Sequence, residues 1–116
     1  MKTSDSRRSV RLADQIRREL AMLLIEEVQD PRLELVSISG VRLNRDMKIA
    51  EVAFTLDADP ERIKDAGEAL DSATGFLRSQ LGRRLRMKFI PELRFVHDDF
   101  LEDMVYGRPG SPEDRG

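Results

Sequence analysis

A long helical pattern with glycines inside it constrains this chain more than any other feature. Ile63, Ala66, Leu70, Ala73, Leu77, Leu81 and Leu85 recur at spacings of three and four, behind an Asp59-Pro60 pair that reads as N-cap and first helical residue. Unbroken, residues 60–85 would make a helix about 39 Å long, too long for a small sheet to cover. Gly67, Gly75 and Gly82 interrupt the pattern. Each costs roughly 1 kcal/mol relative to alanine in a helix interior, so none is there for helix stability. The pattern predicts a break, and Gly75, in the middle, is its expected place. The turn is expected to need that glycine for a positive φ or a close backbone approach.

The flanking segments limit what the broken helix packs on. Residues 7–28 form an earlier helix, with Ala13, Ile16, Leu20, Leu23, Leu24 and Val28 in one apolar stripe and Arg7, Arg11 and Arg18 on another face. It must stop before Asp30-Pro31, because a residue preceding proline avoids helical angles. A hairpin over about 35–57 follows. Val36 and Ile38 alternate in one phase and Val41 and Leu43 in the other, with Gly40 marking a bulge between them. Asn44-Arg45-Asp46 supplies the turn, and Ala50, Val52, Phe54 and Leu56 share one face of the second strand. Pro91 opens a last strand, with Leu93, Phe95 and His97 on one side and Arg94 and Val96 on the other. The order is helix, strand, strand, broken helix, strand: an α+β layer with helices on one face of a three-stranded sheet.

With 116 residues the chain makes one domain, taken here as 1–106, and GRPGSPEDRG, 107–116, reads as a disordered tail. No apolar run is long enough to span a membrane, the first residues lack a signal peptide's apolar stretch, and cysteine is absent. A cytoplasmic protein fits. The net charge of −2 hides a pattern: +4 over residues 1–18, −7 over 19–75, +5 over 76–97 and −4 over 98–116. Arg78, Arg83, Arg84, Arg86 and Lys88 lie beyond the break, in a stretch from 76 to 91 without an acid. A solvated helix face usually mixes signs, so this run favours a phosphate-rich partner, aided by helix N-terminal donors past the break. Arg7, Arg8, Arg11 and Arg18 offer a second basic surface. Glu61, Asp65, Glu68 and Asp71 form an acidic helix face whose role is solvation and keeping nucleic acid off that side. Aromatics make up only 5% of the chain, with no tryptophan, so backbone or shape recognition of structured RNA is expected rather than base stacking. His97-Asp98-Asp99 could suggest a metal, but consecutive strand residues point to opposite faces. No nucleophile elbow, nucleotide fingerprint or HExxH is present, and neither catalysis, metal nor cofactor is expected.

Several stretches together resemble the ribosome-binding factor A family over about residues 7–99. These are the arginine-rich first helix ending at Asp30-Pro31-Arg32, the hairpin VRLNRDMKIAEVAF, and ALDSATGFLRSQLGRRLRMKFIPELRFVHDD. The resemblance implies a KH-like fold of the bacterial type II, in which an alanine-x-glycine kink replaces the GxxG loop. Ala73-Thr74-Gly75 matches that kink. It further implies a non-enzymatic assembly factor that binds the immature small ribosomal subunit (precursor 30S) and aids late maturation of its 16S rRNA, notably in the cold. A ribosome-associated GTPase is a partner such a factor would have, and a monomer is expected. Phe100 stands where family members commonly carry serine after Asp-Asp. Two rival readings are a stand-alone KH-like binder of other structured RNA and a metal-dependent RNA-processing enzyme using His97, Asp98 and Asp99.

Overall fold

The computed structural model describes residues 3–99, with side chains from residue 7 onward; the expected boundary at Gly107 lies outside them. The first helix, α1 (Thr3–Glu26), begins earlier and ends sooner than the apolar stripe alone predicts. Ala13, Ile16, Leu20 and Leu23 are its buried row. Asp30 then caps a 3₁₀ turn (Pro31–Leu33), accepting a hydrogen bond from the Arg32 backbone N–H at 2.9 Å. The Arg32 side chain bonds the same carboxylate at 2.8 and 3.2 Å, which holds the Asp30 pKa below its ordinary value.

Strands β1 (Ser37–Leu43) and β2 (Ile49–Thr55) pair antiparallel, and the register slips between Ile38 and Gly40 as the change of apolar phase requires. The slip returns Val41 and Leu43 to the side of Ile38, opposite Val52 and Ala50. Asn44 closes the hairpin, its side-chain oxygen accepting from the Lys48 and Ile49 backbone N–H groups at 3.0 and 2.8 Å. Strand β3 (Glu92–His97) pairs parallel with β2, giving the order β1-β2-β3. Ala50, Val52, Phe54 and Leu93 are buried on one face, while Arg42, Glu51, Arg94 and Val96 are exposed on the other. Among the described residues, the helices cover the first face.

Between β2 and β3 the chain forms α2 (Pro60–Ser72) and α3 (Thr74–Leu85). Asp59 caps α2 by accepting from the Arg62 N–H at 2.8 Å, with Pro60 as its first residue. The break falls at Ala73, whose φ of −88° and ψ of −1° turn the chain out of the helical path. Its N–H is shared between the Ala69 and Leu70 carbonyls at 3.0 and 3.1 Å. The Thr74 hydroxyl donates to the Leu70 carbonyl at 3.1 Å, a back-bond of the kind that bends helices. Gly75 does not have the role expected of it. Its φ lies outside the left-handed region, and nothing stands within 4 Å of where a Cβ would be. The close approach occurs instead at Gly82, where a Cβ would lie 3.3 Å from the Met87 carbonyl oxygen and 3.7 Å from Ile90 Cγ1. Leu70, Leu77 and Leu81 are fully buried with Ile16, Leu20, Leu23 and Val52. Each such side chain contributes about 1.5–3 kcal/mol through burial. That shared core fixes α3, and with it the basic run, against α1 and the sheet.

Candidate nucleic-acid interface

The core stripe of α3 decides which cations face outward. Leu77 and Leu81 point inward, so Arg84, three residues on, comes down beside α1. There its guanidinium lies 3.2 Å from Glu19, 3.2 Å from Glu26 and 3.9 Å from Glu27, with a quarter of the side chain exposed (25%). Hydrogen bonds to Glu26 and Glu19 raise its pKa above the ordinary arginine value. Arg84 ties α1 to α3. Arg78 is also engaged: Nε donates to the Pro91 carbonyl at 3.1 Å and Nη2 to the Ile90 carbonyl at 2.7 Å. It pins the entry to β3.

Arg83, Arg86 and Lys88 are different. All three are exposed, and among the described residues none makes an ion pair. The geometry that presents them is a Schellman end to α3. Arg86 takes the left-handed conformation, with φ 55° and ψ 43°. Its N–H reaches the Arg83 carbonyl at 3.3 Å and the Met87 N–H reaches the Gly82 carbonyl at 3.0 Å. Glycine is the usual residue at this position, so an arginine there holds the side chain outward at a conformational cost. Positive charge at this helix end also meets the negative end of the backbone dipole.

The kink lies at the other end of the same helix. Ala73 supplies no side-chain cap to α3, and Gly75 is exposed with open space above it. The first turn of α3 thus carries no side-chain cap, and it follows directly on the last turn of α2. Arg7, Arg8, Arg11 and Arg18 are exposed on α1, with Arg18 3.1 Å from Asp14. Among the described residues, every ion pair between α1 and α3 belongs to Arg84.

Residues 97–99 do not converge. The His97 ring packs edge-on against Phe54, with centroids 5.6 Å apart, on the core side of the sheet. The Asp98 carboxylate accepts from the Ser39 hydroxyl at 2.9 Å on the opposite side. Among the described residues, no group of three or more histidine, cysteine or acidic side chains could hold a metal ion. None of their helices is long and apolar enough to cross a membrane.

Two residues near the cations were not expected. Phe76 is 43% exposed and Phe89 80% exposed. Neither belongs to the apolar row 63–66–70–73–77–81–85, and an aromatic off the core row in an acid-free stretch is the signal that could have found them.

The ribosome-binding factor A family model matches residues 8–106. The chain belongs to the ribosome-binding factor A family. A ribosome-binding factor A of Nitrosomonas europaea is 45% identical over 98 residues, spanning 84% of each chain. The crystal structure of ribosome-binding factor A from Thermus thermophilus superposes with a TM-score of 0.69 at 32% identity, covering 77% of this chain and 93% of that one. A Thermus thermophilus ribosome-binding factor A model fitted into the cryo-EM map of a 30S complex gives 0.66 at 32% identity, covering 78% and 94%. The family is one of ribosome-binding factors and not of enzymes. Its helix-strand-strand-helix-helix-strand order and three-stranded sheet are those implied by the KH-like resemblance.

Proposed function

We propose that this protein binds the small ribosomal subunit during its assembly, contacting 16S rRNA of the immature 30S particle and aiding its late maturation, including in the cold. The observation that carries this reading is the set of exposed cations at the end of α3, Arg83, Arg86 and Lys88, which make no ion pair among the described residues. Phosphates reward such a set through counterion release. The Thermus relative fitted into a 30S complex supports the choice of partner. Ala73 and Thr74 shape the kink, Gly75 beside them leaves room for a phosphate to approach the start of α3, and Arg78 and Arg84 contribute by fixing the helix that carries the others. Arg7, Arg8, Arg11 and Arg18 form a second, separate contact. The protein acts in the cytoplasm, as a monomer, without a cofactor, and a ribosome-associated GTPase is a further partner of this reading.

The test reverses charge where it is free. With Arg83, Arg86 and Lys88 changed to glutamate, the protein should leave the free small-subunit fraction on sedimentation of cell extract. Its affinity for precursor RNA should fall, and the slope of log affinity against log salt should shrink by about 2–3 units, at 0.7–0.9 per lost phosphate contact. Arg84→Glu should instead lower the melting temperature, since it places a fourth carboxylate among Glu19, Glu26 and Glu27. A folded triple variant with unchanged affinity and slope overturns the assignment.

A further inference from the structure

We infer that Phe89 is a stacking platform for one unpaired RNA base, with Lys88 seated on the phosphate beside it; this rests on the RNA-binding reading above. Scarcity of aromatics argues against stacking in general, but the placement of this one argues for it. Phe89 leaves 80% of its surface to solvent, the largest value among the exposed aromatic side chains of the described residues. Single exposed apolar residues are ordinary on protein surfaces and need no explanation alone. Phe89 has three further properties that bear on a ligand.

The first is rigidity on both sides. Toward the N-terminus, the Met87 N–H is bonded to the Gly82 carbonyl at 3.0 Å, closing the Schellman turn. Toward the C-terminus, Arg78 holds the Ile90 and Pro91 carbonyls at 2.7 and 3.1 Å, and Pro91 is buried. The backbone under the ring is therefore held in place, and what binding has left to order is the side chain itself. The second is charge. Residues 76–91 hold no acid, and Arg86 and Lys88 precede the ring in sequence, both exposed. A protein surface that anchored an aromatic would more often mix signs, whereas a nucleic-acid strand offers only phosphates to such a rim. The third is the position of the nearest cation. Lys88 Nζ lies 6.0 Å from the Phe89 ring centroid, at the outer reach of a cation–π contact. A base stacked on the ring has its own phosphate about one ribose away, within the range of that ammonium. Aromatic side chain plus adjacent cation is the arrangement by which unpaired strands are held without sequence preference. A duplex keeps its bases stacked on one another and offers the ring nothing.

The full-length protein is titrated with a single-stranded RNA decamer carrying 2-aminopurine, whose fluorescence is quenched on stacking, and with a duplex RNA of matched composition. Phe89→Ala should weaken the single-stranded complex about ten-fold, abolish the quenching, and leave both the salt slope and duplex affinity unchanged. Phe89→Tyr should restore binding and quenching, and Phe89→Leu should not. Lys88→Ala should reduce the single-strand salt slope by about 0.7. If Phe89→Ala binds and quenches like the parent while the Arg83, Arg86 and Lys88 charge reversal abolishes binding, stacking is overturned and the phosphate reading stands. If the parent protein binds neither RNA, both are overturned. Full activity of Phe89→Leu in RNA binding would mark the site as a generic apolar contact, which also overturns the proposal.

Discussion

Gly75 and Gly82 belong to one helix, yet they answer to opposite constraints. Gly75 sits in the first turn of α3 with open space where a side chain would stand. Gly82 sits in the last turn, with the Met87 carbonyl oxygen and Ile90 folded back over it. Only the second is required by packing. The difference teaches that a helix break and a glycine need not coincide: the break belongs to Ala73 and Thr74, through a carbonyl shared by two donors. The glycine with a close neighbour is the one in the last turn of α3, just before Arg86, Lys88 and Phe89.

The largest effect expected from this contrast is at Gly82. Gly82→Val places branched methyls against a backbone oxygen that already stands 3.3 Å from an ideal Cβ. The Met87 oxygen belongs to the loop that closes α3 and would have to give by a few tenths of an ångström beside the Schellman bond of its own N–H. A loss of about 2–3 kcal/mol in urea unfolding is expected, in the range of core overpacking. A loss below about 0.5 kcal/mol would mean that the loop moves freely and that the two glycines are alike.

Much of this architecture is legible in the residues. The α1 stripe, the bulge at Gly40, the face shared by Ala50, Val52, Phe54 and Leu56, and the Asp59-Pro60 start each follow from spacing or a single side-chain preference. These are local rules with period and capping behind them. What spacing does not carry is the partner of a long side chain. Arg83 and Arg84 are neighbours in a run of one sign, and nothing in that run distinguishes them. Their 100° separation around α3 sends one to solvent and the other to Glu19 and Glu26, residues 65 and 58 positions away. For the same reason the run does not announce that Arg78 donates to the Ile90 and Pro91 carbonyls before β3. Ala73-Thr74-Gly75 marks the break, but the turn is made by the backbone angles of Ala73 and not by a left-handed glycine.

The next effect concerns the left-handed position that follows. Arg86→Gly relieves an arginine of an αL backbone, and stability should rise by about 1 kcal/mol. The same change removes an exposed cation, so the salt slope of RNA binding should fall by about 0.7–0.9. A gain in stability with a loss in binding would separate what the fold prefers from what the surface presents. A loss in stability would show that the arginine side chain itself holds the end of α3, and would erase the distinction between its crowded and open ends.

The smallest effect is expected at Gly75, and its sign matters more than its size. Alanine is better than glycine in a helix by about 1 kcal/mol in interior positions, and by less in a first turn, where fewer backbone bonds depend on it. The backbone at Gly75 is not left-handed and an added Cβ meets nothing, so Gly75→Ala should raise stability by roughly 0.5 kcal/mol. Thermal and urea unfolding of the two proteins at equal salt would read that shift. A fall in stability would place the strain at Gly75 after all, and the contrast with Gly82 would collapse. If stability rises while RNA affinity falls, the open space above Gly75 is occupied only in the complex, by a phosphate approaching the uncapped donors of α3. The methyl group would then obstruct the ligand and not the fold, which is the role that a glycine with no neighbour in the free protein can still have.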